Sequence, residues 1–206
     1  MIIVDVETTG PDTRRHSIVS IGGVDFSYPA NHFYRECRPF DDAEIDPVAL
    51  SVNGFTLEKL SAPDRPTLFE VIQEFLAWGR ECHNQTLGGM NTFFDRDFLR
   101  HSTARHHLEW PFGSRIVDLH SICYAHIIQH GGQPPLKDQR TGLSNDRILN
   151  YVGLPDEPTP HHGLTGALME AEAFSRLLHG RPLIQEFEAH PLPKWAGEPA
   201  GQRQLF

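Results

Sequence analysis

Two kinds of apolar spacing divide the chain. Near the start, Ile2, Ile3, Val4 and Val6 form a nearly unbroken apolar run, and "IVSIGGVDF" at 18–26 is rich in small and branched residues. Runs of this kind suit buried strands, so 1–6 and 18–26 are predicted strands. "HFYRECR" at 32–38 alternates and predicts a third, with turn chemistry in the Gly-Pro and Tyr-Pro-Ala-Asn stretches between them. An antiparallel meander is the simplest pairing. Beyond it the spacing becomes helical.

"DPVALSVN" opens on Asp-Pro, a sound helix start. In "TLFEVIQEFLAWGR" the apolar residues Leu68, Val71, Ile72, Phe75, Leu76 and Trp78 follow the helical repeat. A strand "TLGGM" and a helix from about Thr92 to His106 come next, the latter capped by Asn91 or Thr92. "RIVDL" is a short strand leading into the helix "HSICYAHII". The polar "HGGQPPLKDQRTG" reads as a loop, and "LSNDRILNYVGLP" as a helix closed by Gly153 and Pro155. The last helix lies in "HHGLTGALMEAEAF" and ends at "LLHG". Strands first and alternating elements later indicate an α/β domain with a mixed sheet over residues 1–180. From Arg181 to Phe206 prolines and glycines break every pattern, which predicts a tail.

Composition narrows the picture modestly. At 206 residues, 39% of them hydrophobic, the chain suits one well-filled core. No apolar run reaches 18 residues, so no membrane span is expected. The Met-Ile-Ile-Val-Asp start lacks the features of a secretion signal, and three widely spaced cysteines suit reduced, buried thiols. A cytoplasmic protein is the expectation. A net charge of −9 argues against a general nucleic-acid coat but not against gripping a few nucleotides through metal ions.

The acids change the picture more. Asp5 and Glu7 lie two apart on the first strand, so they share a face and repel each other unless a cation intervenes. Thr8, Thr9 and Gly10 follow at a sharp turn. In "NTFFDRDFLR", Asp95 adjoins Phe94 and precedes Leu99 by one turn, so it can look inward, whereas Asp97 points elsewhere and suits the helix dipole.

These motifs resemble the DEDDh exonucleases: Asp-x-Glu-Thr-Thr-Gly on the first strand, Asn-Thr-Phe-Phe-Asp at a central helix, and a late His before a helix. That group includes the proofreading exonuclease subunit of bacterial DNA polymerase III and ribonuclease T. The similarity spans about residues 1–180. It implies a ribonuclease H-like fold, a mixed sheet of about five strands flanked by helices. It also implies 3′→5′ hydrolysis of single-stranded DNA or RNA, releasing nucleoside 5′-monophosphates. Two divalent cations, Mg²⁺ or Mn²⁺, would be held by Asp5, Glu7 and Asp95. Thr8, Thr9, Gly10, Asn91 and Phe94 would contact the terminal nucleotide.

The third family motif runs His, four residues, Asp, Ala. Alignment on "GALMEAEAF" makes His161 the general base and puts Gly166 where the Asp belongs; a shift by one gives His162 and Ala167. Neither register holds the fourth carboxylate. Glu170, one helical turn after Gly166, is the candidate replacement as metal ligand. A catalytically impaired module that still binds 3′ ends is the alternative function. At the chain's end, Gln202, Leu205 and Phe206 resemble the peptide by which bacterial replication proteins bind the sliding clamp, tethered by the Pro/Gly-rich stretch before them.

Overall fold

The computed structural model describes residues 1–197. The meander is present: β1 (Ile2–Thr8), β2 (Ile18–Asp25) and β3 (His32–Glu36) pair antiparallel in sequence order. Helices α1 (Pro47–Asn53), α2 (Leu57–Leu60) and α3 (Leu68–Glu81) follow. Asp46 caps α1 by accepting the Val48 N–H, and Thr67 with Glu70 closes a full capping box on α3. Strand β4 (Leu87–Gly89) then pairs parallel to β1 and leads to α4 (Phe93–Arg105). Strand β5 (Ile116–Asp118) adds the last sheet position, and Asp118 caps α5 (Leu119–Gln129). The five-stranded mixed sheet has the order β3-β2-β1-β4-β5.

Two local expectations need correction. The stretch 130–142 is not all loop: Leu136–Lys137 (β6) and Arg140–Thr141 (β7) form a small hairpin. Asp138 and Gln139 turn it with φ of 50° and 62°, a two-residue turn without the glycine that usually signals one. Nor does Asn91 or Thr92 cap α4 through its side chain. Asn91 is exposed with φ 52°, and the buried Thr92 hydroxyl donates to the Gly89 carbonyl at 2.8 Å. The remaining helices are α6 (Asn145–Tyr151), capped by Ser144, and α7 (Gly163–His179).

The sheet separates two apolar layers. Ile2, Val4 and Val6 of β1 face Phe75, Phe98 and Leu99 of α3 and α4. Ile3 faces the other side, where Leu119, Ile148 and Phe174 of α5, α6 and α7 pack. Strand alternation therefore turns Asp5 and Glu7 toward the α7 side. Cys37, Cys82 and Cys123 are buried free thiols. Among the described residues no helix is long and apolar enough to cross a membrane.

Helix α7 meets the sheet unusually closely. A Cβ on Gly22 would lie 2.1 Å from the Gly163 backbone, and a Cβ on Gly163 would lie 2.9 Å from the Asp5 carbonyl. Both positions must be glycine for the helix to start there. Farther along α7, Arg176 is fully buried and paired with Glu172 at 2.6 Å. Arg176 also donates to the carbonyls of Val152, Phe187 and His190, while Glu172 accepts the N–H groups of Leu183 and Ile184. The segment after 180 is thus fastened to α7 as far as the 3₁₀ turn at Lys194–Gly197. The motif of Gln202, Leu205 and Phe206 lies outside the described residues.

Candidate active site

The carboxylates meet where β1, α4 and α7 converge. Parallel pairing with β4 covers only Ile2 and Ile3, so the Val6 N–H on that edge lacks a strand partner. Asp95 accepts it at 2.9 Å, which fixes the first turn of α4 against β1. Glu7 is buried near Asn53, whose amide donates to the Thr8 carbonyl at 3.0 Å. Glu170 reaches from α7 to accept the Met90 N–H at 3.0 Å. Asp5 lies under Gly166: a Cβ at 166 would sit 2.0 Å from Asp5 Oδ2. The strand thus places its first acid against the turn of α7 that lacks a side chain.

Burial and mutual repulsion raise all of these acids. Burial pushes Asp5 well above the usual carboxylate range, with further contributions from Glu170, Asp95, Glu7 and Glu157. Burial lifts Asp95 to about 8 against the Val6 hydrogen bond, and lifts Glu7 to about 7 against the favourable field of His161. Glu170 is also raised well above its ordinary value, by burial and then by Asp95. Acids near enough to raise one another suit hard divalent cations such as Mg²⁺ or Mn²⁺, which take oxygen ligands.

A stability profile follows for the metal-free protein. Folded Asp95 and Glu7 keep protons that the unfolded chain has already released, so the folded state binds more protons and stability falls as pH rises toward 7–8. Between pH 6.5 and 8 the expected loss is about 2 kcal/mol. Burial holds His126 down to about 4, while an unfolded imidazole is still half protonated at pH 6.5, so its opposite effect offsets about 0.4 kcal/mol of the loss. Urea unfolding in EDTA at the two pH values measures the drop. Saturating Mg²⁺ should remove it, and Asp95→Asn should make it shallower.

The other expected residues divide. His161 precedes α7, half-exposed, and its backbone N–H is anchored to the Val52 carbonyl at 3.0 Å. His162 is exposed and stacks on Tyr34 at 4.2 Å. Thr9, expected at the nucleotide, is wholly buried: its hydroxyl donates to the Glu44 carbonyl and accepts the Ser17 N–H. It shapes the turn. The Thr8 hydroxyl is likewise committed to the Gly10 carbonyl, and Gly10 packs on the His16 ring. Phe94 is half-buried against Phe98 at 4.8 Å.

Glu157 is the residue the sequence pattern did not reveal. One ligand atom each of Glu7, Glu157 and His161 lie within 4.8 Å of one another. It stands four residues before His161 between two prolines, a loop with no periodicity to mark it. A cavity of about 280 Å³ adjoins His161 and is lined by Tyr34, Asn53, Lys59 and Arg65. A larger groove of about 1030 Å³, with Arg38, Phe40 and Arg105, shares no residue with the carboxylates.

The family model described as Exonuclease (RNase_T) matches residues 2–174. The chain belongs to the exonuclease family. A relative in Escherichia coli, 3′-5′ DNA exonuclease Cap18, is 29% identical over 177 residues, covering 84% of this chain and 88% of Cap18. Escherichia coli Exonuclease I in complex with a dA16 oligonucleotide superposes with TM-score 0.68 at 16% identity, over 87% of this chain. Exonuclease I from Methylocaldum szegediense gives 0.69 at 20% identity, again over 87% of this chain. The exonuclease-family chain corresponds to 40% of each of those longer proteins. The likeness shows the ribonuclease H-like exonuclease fold expected from the motifs.

Proposed function

We propose that the protein is a metal-dependent 3′→5′ exonuclease of the DEDDh type that shortens single-stranded DNA and releases nucleoside 5′-monophosphates. What supports this reading is the mutual influence of partly buried Asp5 and buried Glu7 and Asp95, whose charges raise one another, together with the grouping of Glu7 with Glu157 and His161 within 4.8 Å. These three residues, with Glu170 behind them on α7, form the cation-holding set. Two divalent cations bound there would stabilise charge on the attacking and leaving oxygens of the phosphodiester. His161, half-exposed beside Glu157 and Glu7, accepts the proton of the attacking water. Met90 and Val6 N–H groups hold Glu170 and Asp95 in register, so their carboxylates need little rearrangement when an ion enters.

The terminal nucleotide would lie against the Thr8–Gly10 turn and Phe94, with Asn91 at the rim. Because the Thr8 hydroxyl is committed to Gly10 and Thr9 is wholly buried, contact there falls to the backbone and the Thr8 methyl group. DNA is favoured by the likeness to Cap18, a DNA exonuclease by name, and by the clamp-like sequence of Gln202, Leu205 and Phe206.

Incubation of a 5′-labelled single-stranded oligonucleotide with protein and Mn²⁺ should give a ladder of shortened products, abolished by EDTA. Binding without shortening would instead identify a 3′-end-binding module without hydrolysis. Parallel DNA and RNA strands decide the sugar, and retention on an immobilised sliding clamp, lost in Leu205→Ala/Phe206→Ala, tests the tail.

A further inference from the structure

Glycine stands at 166, where the resemblance to the DEDDh motif implies an aspartate, and two acids border that space. Around the position where a Cβ would project from Gly166, the nearest side chains are Asp5, with Oδ2 at 2.0 Å, and Glu157, with Oε1 at 3.2 Å. The Glu157 side chain is only 6% exposed. Its Oε2 accepts from Asn145 Nδ2 at 3.2 Å, and its backbone N–H donates to Asp146 Oδ1. Its Oε1 is buried and has no hydrogen-bond partner. A buried carboxylate oxygen left unpartnered is costly unless something binds it. This one faces the position of the lost acid, and Glu157, Glu7 and His161 bring ligand atoms within 4.8 Å of one another.

We infer that Glu157 supplies the carboxylate that position 166 lacks, entering from the loop before α7 as a ligand to the cation shared with Asp5 and Glu7. The inference rests on the metal-dependent reading above. Glu170 stays at the opposite edge of the set: its Oε2 accepts the Met90 N–H and lies 3.2 Å from where a Gly89 Cβ would be, at the end of β4. Two features make the loop donor suitable. Asn145, at the start of α6, fixes one oxygen and leaves the other beside the open space at Gly166. The absence of a side chain at 166 leaves room for an acid arriving from another segment. A glutamate from a loop thus takes over from an aspartate on the helix.

The test is calorimetric titration of the metal-free protein with Mn²⁺, which reads binding apart from hydrolysis. Glu157→Gln is close in shape and keeps an oxygen for Asn145, so unfolding curves in EDTA should stay near wild type. The expected result is an apparent Kd raised at least about tenfold. If Glu157→Gln binds Mn²⁺ as wild type does while Asp5→Asn loses binding, the inference is overturned and the proposed function stands. If wild type binds no Mn²⁺, the proposed function fails and this assignment fails with it. Should Glu157→Gln not fold, Glu157→Asp, which keeps the charge but withdraws the oxygen, is measured and read by the same criteria.

Discussion

Asp5→Asn is expected to lower hydrolysis of a single-stranded oligonucleotide by at least about 10³-fold while leaving the fold intact, the scale seen when one charge-stabilising group leaves an active site. Asp5 is the acid every other member of the cluster acts upon: Glu170, Asp95, Glu7 and Glu157 each raise it. Removing its charge relieves that repulsion, so the metal-free variant should be no less stable than wild type above pH 7. Single-turnover rates at saturating Mn²⁺, together with urea unfolding in EDTA, check both statements. An active Asp5→Asn protein would remove the basis for placing the chemistry here.

Arg176→Met should destabilise the protein by about 3–5 kcal/mol, because Glu172 then stays buried without its cation. The lost guanidinium also releases the carbonyls of Val152, Phe187 and His190. A melting temperature lower by roughly 10 °C is expected for a chain of this size. The double variant Glu172→Gln/Arg176→Met should recover part of the loss, since it removes the stranded charge. Chemical denaturation of the three proteins measures the coupling. Recovery of nothing would mean that the arginine acts through the 181–197 segment alone.

Much of this molecule was legible where side chains repeat with a period. The apolar run of β1 and the helical spacing of Leu68 to Trp78 place the sheet and α3 because burial on a strand or helix imposes that spacing. Asp5 and Glu7 were legible as a same-face pair, and Asp95 as an inward first-turn acid, from local geometry. Glu157 was not, since a Pro-flanked loop has no repeat and its position depends on Asn145 and on the shape of Gly166. The β6–β7 hairpin is too short to show alternation. The docking of 181–197 is equally hidden: it depends on a buried Arg176 binding carbonyls, a contact that no spacing in a Pro/Gly-rich stretch encodes. The unavailability of the Thr9 hydroxyl is of the same kind, because its partner Glu44 lies far away in the chain.

The glycine-on-glycine contact between β2 and the start of α7 has a consequence for how this scaffold can vary. It works as a gauge block: two backbones touch with no side chain between them, so the helix cannot be thickened away from the strand that bears Asp5. Any larger residue at 22 or 163 would push α7, and Glu170 with it, away from the strand that bears Asp5 and Glu7. In the proposed cation site, the gap between β1 and Glu170 is therefore held partly by two residues that carry no functional group at all.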